Sequence, residues 1–242
     1  MSEPQHAPLR LLIHGASGRM GQTLLRLAAE RDDLRVVSAV APTTADAGLL
    51  GQPFHPVTDL ENAPDFDVAV DFSLPAAFEA ILSLCAQRGA AFVSGTTGLA
   101  AQQQRALQAA SRFVPVLWSA NFSLGVAVLD DLVERAAAAL KAWDCDIVEA
   151  HHTRKLDAPS GTALALGAAA QRGGADPRYA SLRAGDIVGE HLVQFAGPGE
   201  RIELIHRATN RDIFARGALH AAAALPGRAA GSYRLRDLLG NG

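Results

Sequence analysis

The sequence predicts an α/β protein in two parts. The first is a mostly parallel, helix-covered sheet, and the second is a mixed or antiparallel sheet carrying helices. Three observations predict this. Strand-like apolar runs alternate with helix-like segments as far as residue 120. The first such strand runs into a glycine-rich turn and then a helix. Beyond residue 120 the pattern changes to a long helix, a polar loop and a group of strand-like segments.

In chain order, residues 1–8 read as a disordered lead and 9–14 as the first strand. Gly15-Ala16-Ser17-Gly18-Arg19-Met20-Gly21 follows, then a helix over 22–30. The glycines are spaced GxxGxxG. Gly15 permits a tight turn, Gly18 lets the helix start approach a pyrophosphate, and Gly21 lets the helix pack close to the sheet. The helix N-terminus offers N–H groups to phosphate. An ordinary tight strand–helix turn would use such glycines too. Residues 34–40 form the second strand. An NAD site places an acidic residue near its end to hold the ribose diol. Here Val40-Ala41-Pro42-Thr43-Thr44 has neither a carboxylate nor an arginine for a 2′-phosphate, and Asp46 lies further on. Residues 45–64 read as loop from their glycines and prolines.

Residues 67–72 are a strand. Ser73-Leu74-Pro75 starts a helix through 87, and 90–94 is a strand ending at Gly95-Thr96-Thr97-Gly98. A small hydroxyl-bearing turn after a parallel strand lies at the ligand-binding edge of such a sheet. A helix over 100–111 leads to a strand over 114–118, which ends at Ser119-Ala120-Asn121-Phe122-Ser123. In the second part, 124–142 is a long helix, 144–150 a strand and 163–171 a helix. Strands follow at 181–183, 190–196 and 201–206, the last two joined by a tight connection at 197–200. A helix over 210–224 and a short one within 231–240 end the chain. Arg211, Asp212 and Arg216 suit either a pocket or a solvated helix face.

The chemistry concentrates in residues 146–162, DIVEAHHTRKLDAPSGT. Ile147 and Val148 lead into Glu149, and His151, His152, Arg154 and Lys155 follow closely. Pro159-Ser160-Gly161-Thr162 then opens an alanine- and leucine-rich run. The pattern is strand, polar loop, helix N-terminus. Pro159 suits the helix entry, and Ser160 or Thr162 the cap. N–H groups there would face an anion such as a carboxylate. A histidine and a lysine one loop away complete an acid–base and carboxylate-recognition kit. Two histidines in a basic loop also fit a solvated surface, so the rest of the chain must decide. No cysteine cluster or HExxH accompanies them, and no metal is expected.

With 242 residues the chain suits one large domain or two small ones, and its formal charge of −3 argues against a nucleic-acid surface. Cys85 and Cys145 read as buried thiols of a reducing compartment. The N-terminal segment lacks a signal-peptide pattern, and no uncharged run reaches membrane-spanning length. The expectation is a soluble cytoplasmic protein with no membrane partner.

Together these motifs resemble the dihydrodipicolinate reductase (4-hydroxy-tetrahydrodipicolinate reductase) family of lysine and diaminopimelate synthesis. The resemblance rests on GASGRMG at 15–21, VDFS at 70–73, GTTG at 95–98, SANFSLGV at 119–126 and EAHHTRKLDAPSGTAL at 149–164. It continues in RAGDIVGEH at 183–191, IELIHRATNRDIFARGAL at 202–219 and GSYRLRDLL at 231–239. It implies a Rossmann-like nucleotide-binding domain over 1–120, with C-terminal helices over 211–242 returning to it. The inserted α+β domain, 121–210, would bind substrate and mediate oligomerisation, usually as a homotetramer.

The resemblance further implies that NADPH or NADH delivers hydride to the ring carbon para to the nitrogen of a cyclic dicarboxylate. The adjacent carbon then takes a proton, giving tetrahydrodipicolinate. His151 falls at the acid–base position and Lys155 at that of the proton donor. Thr97, His152, Lys155, Ser160, Gly161 and Thr162 fall at substrate positions, with Lys155 or His152 as the cation for a carboxylate. Gly15, Ala16, Ser17, Gly18, Arg19, Met20, Gly95, Thr96, Thr97, Ser119, Ala120, Asn121 and Phe122 fall at nucleotide positions. The chain departs from the family pattern at Ala41-Pro42, where an acidic and often a basic residue are usual. It departs again at 178–182, which replaces a longer glycine-rich loop. The rival readings are a related NAD(P)-dependent amino-acid dehydrogenase and a non-catalytic NAD(P)-responsive regulator. A regulator would have no need of the AHHTRK and PSGT segments.

Overall fold

The structure is a computed structural model that describes residues 7–42 and 51–240. Thr43, Thr44 and Asp46, at the expected ribose-binding end of the second strand, lie outside the described residues, as do residues 1–6 of the expected lead. The chain divides into two compact units, Met1–Phe122 with Phe214–Gly242, and Ser123–Ile213.

The elements begin with β1 (Leu9–His14), α1 (Arg19–Ala28), β2 (Leu34–Ala41), β3 (Phe54–Pro56), β4 (Val68–Asp71) and α2 (Pro75–Arg88). Next come β5 (Ala91–Ser94), α3 (Ala101–Ala110), β6 (Pro115–Trp118), α4 (Leu124–Ala139), β7 (Asp144–His151) and α5 (Gly161–Arg172). The chain ends with β8 (Pro177–Arg183), β9 (Gly189–Gly197), β10 (Glu200–Ala208), α6 (Asp212–Ala224) and β11 (Gly231–Tyr233).

The first unit is a seven-stranded parallel sheet in the order β11-β6-β5-β4-β1-β2-β3. Its inner strands are apolar without alternation because helices cover both faces. Leu11, Leu12, Ile13, Val68, Val70, Phe92 and Val93 are all fully buried. Phe78, Ile81 and Cys85 of α2 pack with Leu12, Val40 and Phe92. The strand order reverses direction between β1 and β4, so the crevice at their carboxyl ends is the topological switch point, where open α/β sheets bind ligands.

Three segments differ from the sequence expectation. Residues 54–56, expected as loop, pair with the end of β2. Residues 231–233, expected as the start of a helix, pair parallel with β6, and a 3₁₀ turn follows at Leu235–Leu238. Both are three-residue edge strands, too short to show a period of their own. β8 starts at Pro177 rather than 181, because its whole length pairs with β7 while most of its side chains stay exposed.

The second unit is a mixed sheet in the order β10-β9-β7-β8, in which β7 pairs parallel with β8 and antiparallel with β9. β7 shows strict alternation, with Cys145, Ile147, Glu149 and His151 on the buried face. Leu129 and Val133 of α4 and Ala163, Leu166 and Ala170 of α5 cover that face against Val193 and Phe195. α5 is the crossover between the parallel β7 and β8, so its N-terminus and the loop before it sit at the carboxyl end of β7. Among the described residues no helix is long and apolar enough to cross a membrane.

Candidate active site

In the first unit the β1–α1 turn is built by the absence of side chains. Gly15 has φ +80°, and a Cβ there would lie 2.6 Å from the Phe72 carbonyl oxygen, at the end of β4. A Cβ at Gly21 would lie 2.3 Å from the Gly15 oxygen, so α1 packs on the turn itself. Gly18 is the extended N-cap of α1 and is exposed. The N–H groups of Gly15 and Ala16 both donate to the Val40 carbonyl, at 3.1 and 3.0 Å. They hold the turn and are not donors for phosphate. The first turn of α1 has no intrahelical acceptors for its N–H groups, so those of Arg19 and Met20 are candidate donors to an anion. The clashes at Gly15 and Gly21 are with the chain's own backbone, so these glycines let the turn close, and the open start of α1 beside it is compatible with a dinucleotide pyrophosphate.

Beside the turn, Asp71 gathers the carboxyl ends of three neighbouring strands. It is fully buried and accepts from His14 Nδ1 (2.8 Å), Ser73 Oγ (2.6 Å), Ser94 Oγ (2.8 Å) and Thr96 Oγ1 (2.8 Å). Burial pushes its carboxyl up, but the bonds from His14, Ser73 and Ser94 outweigh this and hold it below the usual range. Thr96 is thereby turned inward, while Thr97 is exposed. Trp118 Nε1 donates to the Thr96 carbonyl (2.8 Å), and Ser119 Oγ donates to the Asn121 carbonyl (2.7 Å). The ring of Phe122 is buried against Phe72, with centroids 5.5 Å apart. Of the expected nucleotide residues, then, Ala16, Thr96 and Phe122 face inward. Ser17, Gly18, Arg19, Met20, Gly95, Thr97, Ser119, Ala120 and Asn121 keep accessible surface.

In the second unit, β7 places Glu149 and His151 on one face by its two-residue period. His151 Nδ1 donates to Glu149 Oε2, and Arg183 donates to the same carboxylate through Nη1 (3.0 Å) and Nη2 (2.7 Å). Burial would raise the Glu149 carboxyl, but Arg183, Ser181 and His151 together hold it at about 2. The His191 ring meets His151 edge-on at 5.2 Å, and its Nε2 lies 3.3 Å from Ser160 Oγ. Burial, then the neighbouring His151 and His206, push His191 down to about 4, so it is neutral at pH 7.

Lys155 Nζ pairs with both oxygens of the exposed Asp157, at 2.8 and 2.9 Å. Arg211 Nη2 lies 3.3 Å from His152 Nε2. Desolvation and then the cations Arg154 and Arg211 push the His152 imidazole below its ordinary value. Arg211 and Lys155 are the cations beside it. Ser160, not Thr162, caps α5, accepting from the Ala163 N–H at 3.2 Å. Its hydroxyl is buried and occupied, so its expected substrate contact does not come from the side chain. Gly161 is exposed, and a Cβ there would meet nothing within 4 Å. Sequence reading passed over Asp71, His14, His191 and Arg183. Glu149 could have been found, since it lies two positions before His151 on a strand.

A glycine turn at the switch point of a parallel sheet, in a chain that also carries an acid–base and carboxylate-recognition cluster, defines a nucleotide-dependent oxidoreductase. Comparison with known proteins makes the class particular. Residues 9–122 match the family model "Dihydrodipicolinate reductase, N-terminus", and residues 125–239 match "Dihydrodipicolinate reductase, C-terminus". The 4-hydroxy-tetrahydrodipicolinate reductase of Stenotrophomonas maltophilia (strain R551-3) is 69% identical over 96% of this chain and 98% of its own. That of Xylella fastidiosa (strain 9a5c) is 59% identical over the same shares. Among solved structures, a dipicolinate-bound dihydrodipicolinate reductase from Paenisporosarcina sp. TG-14 shares the fold. It has TM-score 0.80 and 22% identity, and the match covers 96% of this chain and all of that one. The chain belongs to the dihydrodipicolinate reductase family.

Proposed function

We infer that the chain reduces 4-hydroxy-tetrahydrodipicolinate to tetrahydrodipicolinate with NADPH or NADH, in diaminopimelate and lysine synthesis. One observation carries the assignment of residues. A histidine oriented by a buried carboxylate, a lysine and an uncrowded helix start are gathered at the carboxyl end of β7. The Paenisporosarcina relative is dipicolinate-bound, so the ligand class is a cyclic dicarboxylate. The N–H groups opening α5 at Gly161 and Thr162 hold one carboxylate, and Arg211 and Lys155 neutralise the charge. His152 adds a hydrogen bond.

The bound dihydronicotinamide supplies the hydride. His151 and Lys155 face the charge that develops on the conjugated imine and deliver the proton to the ring carbon next to the reduced one. The nucleotide is held by the first turn of α1, by Gly95 and Thr97, and by 119–121. The two units divide the work as a nucleotide-binding domain and a substrate-binding and oligomerisation domain. The enzyme works in the cytoplasm as a homotetramer.

His151→Gln and Lys155→Ala should each lower kcat by roughly 10²–10⁴-fold while NADPH binding is retained. Steady-state kinetics on enzymatically generated substrate measure this, and wild-type turnover in both variants would remove the assignment. Both cofactors should work, with a modest lean to NADPH. Ala41 is buried and Pro42 has no N–H, so neither presents a carboxylate that would repel a 2′-phosphate. Arg19, exposed at the start of α1, is the cation we assign to that phosphate. The comparison is kcat/KM for the two cofactors at matched ionic strength, with and without Arg19→Ala. A strong NADH preference unaffected by that change would defeat this account.

A further inference from the structure

We propose that Arg183 and Glu149 are positioning residues for the proton transfer, holding His151 and the Lys155 loop in one register. The inference rests on the reading of His151 and Lys155 given above. Arg183 stands directly across from His151 in the parallel β7–β8 pairing. Its guanidinium grips both oxygens of Glu149 and also donates to the carbonyls of Lys155 (Nε, 3.3 Å) and Asp157 (Nη2, 2.5 Å). One planar fork therefore touches the anchor of the histidine and the backbone of the lysine. An ammonium group cannot reproduce that set of directions.

The consequence for His151 is a fixed tautomer. Nδ1 is committed to Glu149, so Nε2 is the nitrogen left to exchange a proton. Gly189 keeps the space beside it clear, because a Cβ there would stand 3.1 Å from His151 Nε2. The charged and titratable groups around the imidazole come from every neighbouring element. They are Glu149 on its own strand, Arg183 on β8, His191 on β9, and His152 and Lys155 in the following loop. Glu149 is the anion that stabilises the imidazolium, and Arg183 neutralises part of that anion. Removing one or the other must therefore shift His151 in opposite directions.

The test is the pH dependence of kcat in Glu149→Gln, Arg183→Gln and Arg183→Lys, with circular dichroism and NADPH binding reporting the folded state. Glu149→Gln should lower kcat at least about tenfold. It should also move the alkaline limb, where the acid loses its proton, down by about one pH unit. Arg183→Gln should lower kcat but move that limb up, and Arg183→Lys should fail to restore wild-type kcat. A folded Glu149→Gln enzyme with an unmoved limb overturns the inference, as do shifts of one sign in both variants or full rescue by lysine. If Arg183→Gln does not fold, the Glu149→Gln limb and the lysine variant decide alone. His151→Gln separates the two levels. Full turnover in that variant ends the underlying reading. Its loss of turnover beside an unaffected Glu149→Gln ends only this inference.

Discussion

Lys155, proposed above to meet the substrate, is already paired. Its ammonium rests on Asp157, whose carboxyl is held below the ordinary range chiefly by the hydrogen bond from that lysine. On the proposed reading an incoming carboxylate would have to displace Asp157, which is exposed. Exposed ion pairs are worth about 0.2–1 kcal/mol. Asp157→Asn should therefore lower KM for the dicarboxylate by about 1.4- to fivefold, the same energy expressed as affinity. Initial-rate kinetics at constant ionic strength would show it, and an unchanged KM would mean that Lys155 binds no carboxylate. Single residues of this kind were legible to different depths. His151 and Lys155 stood out because a neutral-range acid and a cation fell between a strand and a helix start. Arg183 could not be found that way. Its partners lie 34 positions away at Glu149 and 26 at Asp157, and only the register of β8 against β7 brings them together.

Among the elements, α5 shows where sequence reading worked and where it stopped. The Pro-Ser-Gly-Thr signal located its start to within two residues, but the cap was open between Ser160 and Thr162. The structure gives it to Ser160, because that hydroxyl reaches both the Ala163 N–H and His191 on β9. Gly161 then stands at the first helical position, where a Cβ would meet nothing within 4 Å. Neither the chain's sterics nor its backbone angles demand glycine there, so close approach of a ligand explains it best. Gly161→Ala should raise stability by about 0.4–1 kcal/mol through a less flexible unfolded chain. The same methyl group should raise KM for the dicarboxylate. A thermal melt paired with kinetics checks both signs, and a stabilised variant with unchanged KM would move the carboxylate away from this helix start. The edge strands β3 and β11 were invisible for the opposite reason. Their conformation is imposed by the neighbouring strand and leaves no periodicity in three residues.

At the scale of the whole molecule, α4 and α5 of the second unit pack on one face of its sheet, and among the described residues of that unit no helix packs on the other. α4 and α5 take the face that carries Ile147 and Val193. The alternate residues stand on the other face, where Ala180, Val148, Leu192 and Ile205 form one apolar row across all four strands. Ile205 is 42% exposed and Leu182, on the same face, 57%. A sheet face of this composition suits packing against a second sheet, about 10 Å away. Identical chains would meet there about a two-fold axis. This is the support for the proposed homotetramer through the second unit. Leu192→Glu puts a carboxylate at the centre of the row, where a partner sheet would strand it without a counter-charge. Its side chain in the single chain remains half-exposed, so the fold should survive. Sedimentation velocity should show the wild-type protein at the mass of four chains and the variant at two or one, both still binding NADPH. A wild-type monomer would end the tetramer proposal, and an intact tetramer in the variant would place the interface on another surface.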